Sequence, residues 1–282
     1  MNDYVIAIPS YHREESIKYN TLAVLESYNI PQNKIKIFVS DPELQSYQES
    51  VKNVEIIPSR QGLINNRDFI RHYFPEGKRI VYMDDDIQGF FSVCDFTDNH
   101  QTCNNYKKEN IGKHYYKKQI PLPDLHKFIE HSFAILDKEN ANLGGIYPIS
   151  NGFFAKHRYT TNLRYIIGAF YLERNIHNLN LKGLDYGEDF ERTCMFFHRD
   201  KKVIRFESVL LKSAYYKGNG GLVETRTVDK TKEAVELLFS LYPSYLKIIH
   251  PTKRNQFWNL KIINKKKSAH SDAESEQLPD PL

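Results

Sequence analysis

Four apolar runs in the first 86 residues, separated by segments of helical periodicity, constrain this chain more than any other feature. Residues 4–14 ("YVIAIPSYHRE") hold an apolar run stopped by Pro9, so they read as a buried strand ending in a loop. Residues 34–41 ("KIKIFVSD"), 54–60 ("VEIIPSR") and 78–86 ("KRIVYMDDD") repeat the pattern. Between them, 15–30 places Ile17, Leu22, Leu25 and Tyr28 near one helical face, with Pro31 beyond its end, and 62–74 ("GLINNRDFIRHYF") reads as the next helix. Strands that are apolar throughout and alternate with helices predict an α/β fold, its mostly parallel sheet covered on both faces.

In such sheets ligands collect at the carboxyl ends of the strands. That edge gathers Pro9 to Arg13, Asp41, Ser59 with Arg60, and the triplet Asp84, Asp85, Asp86. Aspartates are common in solvated turns, but here a strongly apolar strand delivers three of them together. A divalent cation would offset their repulsion through oxygen ligands, and cations held by one or two carboxylates also bind substrate phosphates. The triplet therefore predicts a metal–diphosphate site holding Mn²⁺ or Mg²⁺.

In "PSRQGLINNRDF" (58–69), Gly62 allows a tight turn, and Asn65, Asn66 and Arg67 fall in the first turn of a helix. An ordinary helix start would look the same. Its place directly before the acid strand favours an anion site made of a helix N-terminus and an arginine. In "YGEDFER" (186–192), Glu188 and Asp189 follow a glycine and open a helix. Charge compensation at a helix N-terminus is the simpler reading of the pair, and a catalytic carboxylate the sharper one.

The second half of the chain is less regular. Residues 95–119 read as a long loop and 124–139 as a helix; "LGGIYPI", "YIIGAFYL" and "KVIRFESVLL" are strand candidates. Residues 187–200 look helical from Asp189 on, and 229–242 form another amphipathic helix. "YKGNGGL" (216–222) lacks the GKS or GKT of a phosphate-binding Walker loop and reads as a plain turn or a mobile lid. From Ser268 the composition is that of a disordered tail.

The formal net charge of +4 permits an anionic ligand without declaring a nucleic-acid binder. Three cysteines, Cys94, Cys103 and Cys194, form no CxxC pair and are odd in number. They argue against a disulfide scaffold or a structural zinc site and fit a reducing compartment. His198 and His250 could each ligate a metal, but no paired metal-ligand spacing surrounds them. With no leader and no apolar run of membrane-spanning length, the expectation is a cytoplasmic protein with no membrane span.

Taken in chain order, "IPSYHRE", Asp41, "GLINNRD", "YMDDD" and "GED" resemble the GT-A class of nucleotide-sugar glycosyltransferases. Within it they are most similar to the large inverting group that includes cellulose and chitin synthases. The likeness runs over roughly residues 4–220. It implies a Rossmann-like GT-A domain over 1–225, a helical extension packed on it over 226–267, and the tail 268–282.

It also implies that Pro9, Tyr11 and Arg13 line a nucleotide pocket, with Arg60 and Asn65 on the same donor side. Asp41 would contact the base or ribose, and Arg67 the nucleotide or diphosphate. Asp84 and Asp86 match the ends of a DxD motif and would hold the metal, Asp86 most directly, while Asp85 would face the ribose or sugar. Asp189 matches the acid taken as general base, with Glu188 beside it, and Lys217 could add positive charge. The implied donor is a nucleoside-diphosphate sugar, a UDP-sugar first, and the implied acceptor is a glycan or a modified base.

Asp68 stands where many relatives have Asn, and no QxxRW motif is present, which argues against a processive polysaccharide synthase. A narrower resemblance, carried by "GLINNRDFIRHYFPEGKRIVYMDDDI", "YYKGNGGL" and "LYPSY", is to viral and phage glycosyltransferases. Among these are the TET-associated ones that act on hydroxymethylated DNA bases. It implies a modified DNA base as acceptor and, for a viral protein, the host cytoplasm. The rival readings are a sugar nucleotidyltransferase and a non-catalytic sugar- or nucleic-acid-binding module on the same scaffold.

Overall fold

A computed structural model describes residues 3–95, 117–179, 181–182, 184–214, 226–253 and 255–263. The first apolar runs form β1 (Tyr4–Pro9), β2 (Ile35–Ser40), β3 (Glu55–Ser59) and β4 (Arg79–Met83). They pair in parallel in the order β3-β2-β1-β4, with Ile6 of β1 opposite Ile35 and Val81. All six residues of β1 are buried, which is why it reads as a continuous apolar run and not as an alternating one.

The sheet continues through β9 (Phe170–Arg174), β7 (Leu143–Tyr147), β10 (Ile204–Ser213), β5 (Ile87–Asp95) and β6 (Lys117–Pro121), and a short β8 (Tyr159–Thr160) pairs with β10. The pairings make β9, β5 and β8 antiparallel to the rest, so seven of the ten strands share one direction. The sheet is mixed and mostly parallel, with helices packed over it, as expected. Residues 95–119 are not wholly loop: β5 reaches Asp95 and β6 starts at Lys117.

The helix expected over 15–30 is shorter and irregular. A π-helical turn (Lys18–Leu22), in which Asn20 leaves helical geometry (φ −107°, ψ −106°), runs into α1 (Ala23–Ser27). Ile17 and Leu25 are fully buried nonetheless. Next come α2 (Leu44–Ser50) and α3 (Leu63–Tyr73), the latter beginning at Gly62, whose φ of +91° only glycine adopts easily. The later helices are α4 (Leu125–Lys138), capped by Asp124, α5 (Glu188–Asp200) and α6 (Val228–Leu241). Of "YIIGAFYL" only the second half is strand, because β9 begins at Phe170.

The C-terminal extension holds α6 and also a hairpin, β11 (Leu246–Ile249) with β12 (Asn259–Ile262), which helical periodicity did not show. Val235, Leu238, Leu246 and Leu260 pack with Cys194 of α5 in a small core of their own. This docks the extension against the helix that starts at Glu188. The glycine-rich turn with Lys217, and the tail from Ser268, lie outside the described residues. Among the described residues no helix is long and apolar enough to cross a membrane.

Candidate active site

A cavity of about 820 Å³ opens at the carboxyl edge of β1 and β4. Ten of the expected residues line it: Pro9, Tyr11, Arg13, Arg60, Arg67, Asp84, Asp85, Asp86, Glu188 and Asp189. Two do not. Asp41 is exposed at the start of a 3₁₀ turn, and its neighbour Ser40 lines the wall instead. Asn65 is exposed and donates to Gln61 O (3.0 Å), whereas Asn66 is buried and faces the cavity. Successive helical residues are rotated by about 100°, so the two asparagines cannot share a direction. Asn66 donates to Phe38 O (3.1 Å) and meets Ser59 Oγ (3.0 Å), tying α3 to β2 and β3.

The three acids have different surroundings. Asp85 is buried, accepting from Ser10 Oγ (2.5 Å) and from the Arg13 guanidinium (2.6 Å). Its carboxylate therefore clips the β1 loop to the acid turn at the cavity wall. Asp84 keeps 36% of its side chain exposed. The cleft walls strip much of its water, and Asp86 and Asp85 repel its charge; against the lowering pull of Arg67, its pKa is pushed up to about 7. Burial and the nearby Asp85 push Asp86 up as well, against the opposing pull of Arg13.

Two hard-oxygen donors at the cleft, each charged at a cost, suit Mn²⁺ or Mg²⁺. Among the described residues no group of three or more His, Cys, Asp or Glu is arranged to hold a metal. Asp84 and Asp86 would thus be two protein ligands of a cation completed by phosphate and water. His198 meets Tyr245 OH (3.4 Å) and His250 packs edge-on against Trp258, outside any such group. Burial pushes the Cys194 thiol up to about 12, consistent with a packing role.

Arg67, 2% exposed, forms the floor between the two halves of the site. It pairs with Glu188 and with Asp84 (3.3 Å), and donates to Gly168 O (3.1 Å). The other oxygen of Glu188 accepts from Arg192 (2.6 Å), whose guanidinium lies 3.6 Å over the Tyr171 ring. Burial alone would raise the Glu188 pKa, but Arg192 and Arg67 outweigh it and hold the group below the usual range. Both its oxygens are engaged by guanidinium groups, which hold Glu188 as an anion between them. Gly168 makes room for this: a Cβ there would sit 2.9 Å from Glu188 Oε1 and 3.3 Å from Arg67.

Asp189 faces the cavity with one oxygen on Tyr165 OH and the other on the Phe190 amide (2.9 Å). Burial, then the neighbouring Glu188 charge, raises its pKa despite the lowering Tyr165 bond. A carboxylate raised in this way is a better base than a solvated one.

Several lining residues had no signal in the sequence. Asp185 accepts from the Ile64 amide (2.9 Å), placing a carboxylate at the start of α3 where an external anion was expected. Tyr165, Tyr186 and Phe190 form an aromatic wall near Asp189, and Arg226, Val235, Trp258 and Leu260 reach the cavity from the C-terminal extension.

No family model and no curated protein matches the sequence. Among solved structures, the chain is similar to a mannosyltransferase from Pyrobaculum calidifontis in complex with GDP-Man and Mn²⁺ (TM-score 0.44, 10% identity), with 86% of this chain and 64% of that one covered. The chain thus spans under two thirds of that protein's length. It is also similar to glucosyl-3-phosphoglycerate synthase from Mycobacterium tuberculosis, in complex with Mn²⁺, UDP-glucose and phosphoglyceric acid (TM-score 0.45, 11% identity, 94% and 88% covered). A third is a CMP-2-keto-3-deoxy-manno-octonic acid synthetase complexed with CTP (TM-score 0.40, 10% identity, 86% and 99% covered).

Proposed function

We propose that this protein is a metal-dependent, inverting glycosyltransferase of the GT-A type, moving a sugar from a nucleoside-diphosphate sugar, UDP-linked first, to an acceptor hydroxyl. The observation that carries this is the joining, in one cavity, of two cleft-facing carboxylates, two arginines and a separate carboxylate with raised pKa.

The Pro9–Arg13 loop, Ser40 and Arg60 form the nucleotide end. A Mn²⁺ or Mg²⁺ held by Asp84 and Asp86 would neutralise charge on the leaving diphosphate. Arg67 and Arg13 add fixed positive charge beside it. On the far side of the floor, Asp189 takes the proton of the acceptor hydroxyl as its oxygen attacks the anomeric carbon. The bond from that carbon to the diphosphate breaks, and its electron pair leaves with the nucleoside diphosphate. General-base assistance supplies about a hundred- to ten-thousand-fold in rate.

For the acceptor, a modified DNA base is the narrower reading. Between Leu237 and Ser271 the sequence carries Lys247, Lys253, Arg254, Lys261 and Lys265–Lys267 and no Asp or Glu. Trp258, which lines the cavity, belongs to the same stretch. A basic strip with an aromatic ring suits a nucleic-acid strand. The test is nucleoside diphosphate release from a panel of UDP- and GDP-sugars with Mn²⁺ and with EDTA. Metal-dependent release supports the proposal. Pyrophosphate release from a nucleoside triphosphate and a sugar phosphate would make the protein a nucleotidyltransferase, and binding without turnover a binding module.

A further inference from the structure

We propose that Thr21, far from the acids in sequence and absent from the cavity wall, is the residue that positions the turn Asp84–Asp86 for a divalent cation. The proposal rests on the metal site described above.

Thr21 is fully buried. Its hydroxyl donates to Asp84 O (2.7 Å) and accepts from the Ile87 amide (2.9 Å). One oxygen atom thus closes both ends of the three-acid turn between β4 and β5. Among the described residues, further backbone anchors come from beside β9 and β10: Asp84 N donates to Ala169 O (3.0 Å), and Ala214 N donates to Asp86 O (2.9 Å). Asp85 is held separately through its own carboxylate. Among the described residues, Thr21 is therefore the side chain that grips the turn by its backbone, leaving the carboxylates of Asp84 and Asp86 on the cavity wall.

The irregular helix is what delivers it. Ile17 and Leu25 are eight positions apart and both fully buried. In a regular α-helix, at about 100° per residue, eight steps would leave them about 80° apart. Asn20, at φ −107° and ψ −106°, breaks that regular rotation between them, so the offset does not carry through. Thr21, midway between them and inside that turn, is held on the inner face. The kink has a definite product: a hydroxyl under the acid turn.

The requirement is chemically narrow. A group that donates to a carbonyl and accepts from an amide at one atom must be a hydroxyl. Valine has the same shape and does neither; serine does both. Like charges in the turn push the acids apart, so a turn released at both ends relaxes away from the geometry that two metal oxygens need. Groups that hold metal ligands in place typically govern affinity about 10- to 100-fold.

The experiment is a titration of the full chain with Mn²⁺ alone, free Mn²⁺ being read by electron paramagnetic resonance, for wild type, Thr21→Val and Thr21→Ser. Melting temperature and Ile87 amide hydrogen exchange are measured alongside. The expected result is a loss of Mn²⁺ affinity of about tenfold or more in Thr21→Val, faster Ile87 exchange, and recovery to near wild type in Thr21→Ser. A merely structural threonine would lower the melting temperature of Thr21→Val while leaving its Mn²⁺ affinity unchanged, and that outcome overturns the proposal by itself. No Mn²⁺ uptake by the wild type overturns the metal site and this proposal together, so the two failures are distinguishable. If Thr21→Val does not fold, Thr21→Ala strands the same two backbone groups and takes its place with the same deciding outcomes.

Discussion

Arg67 and Glu188 form a buried ion pair that joins the acid turn to the start of α5. Arg67 also reaches Asp84, and Glu188 also reaches Arg192, so four charged groups run beneath the floor in alternating sign. The neighbouring acids Glu188 and Asp189 therefore have different surroundings, which yields the first prediction. Glu188→Gln leaves two buried guanidiniums short of an anion, and breaking a buried pair typically costs about 3–5 kcal/mol. It should lower the melting temperature clearly. Asp189→Asn should melt near wild type and bind donor normally, but lose about a hundredfold or more in donor turnover. Thermal melts with nucleoside diphosphate release check both. A stable, inactive Glu188→Gln beside an active Asp189→Asn would reverse the assignment.

Acid–base behaviour supplies the second. Asp84, with its pKa at about 7, and Asp86, also raised, must both be ionised to hold a cation. Mn²⁺ affinity should therefore be high at pH 8 and fall steeply as the pH drops through 7. The sign reverses for the metal-free protein. A carboxyl whose folded pKa lies above its unfolded value binds more protons when folded. Its stabilising contribution is present at low pH and is lost as pH rises toward 7. Mn²⁺ should thus raise the melting temperature more at pH 8 than at pH 5.5. An equal shift at the two pH values would rule out Asp84 and Asp86 as its ligands.

Gly168 carries the third. A methyl group there would contact Glu188 Oε1 at 2.9 Å and Arg67 at 3.3 Å, both held by further ion pairs. Gly168→Ala should displace the pair, weaken nucleotide binding in the presence of Mn²⁺, and leave the far strand β3 untouched. Nucleotide affinity measured by calorimetry is the test, and an unchanged value would show that the floor can shift at no cost.

The parts legible in sequence were those with a short-range period. Continuous apolar runs marked β1 to β4, and what followed each run marked the cleft edge, because a parallel strand ends where the ligand edge begins. The differences at the cavity wall were of one position. Asp41 and Asn65 gave way to Ser40 and Asn66, since residue type alone does not say which way a turn or helix start points its side chains. Asp85 looked like its neighbours, yet Ser10 and Arg13, brought in by β1, engage its carboxylate at the cavity wall. Thr21, Asp185 and Trp258 were invisible for a stronger reason. Each acts across a long sequence separation, through a π turn, a loop or a hairpin whose position only packing decides.

Trp258 is the single tryptophan of the chain, and it lines the cavity from the C-terminal hairpin. His250 packs edge-on against its ring at 4.8 Å, and Lys232 Nζ lies 5.7 Å from its centre. Its emission should therefore report on one end of the cleft. The proposed nucleotide end comprises the Pro9–Arg13 loop and Ser40, whereas Trp258 stands with the wall contributed by the extension. Saturating UDP with Mn²⁺ should change Trp258 emission little, and a single-stranded oligonucleotide carrying hydroxymethylated bases should quench it, by stacking on the ring. Trp258→Ala should leave Mn²⁺-dependent donor hydrolysis near the wild-type rate while raising the oligonucleotide concentration needed for transfer by about tenfold, in line with roughly 1–3 kcal/mol per stacked base. Quenching by UDP and Mn²⁺ alone, with no response to the oligonucleotide, would move Trp258 to the donor end. It would also remove the support that the hairpin lends to a nucleic-acid acceptor.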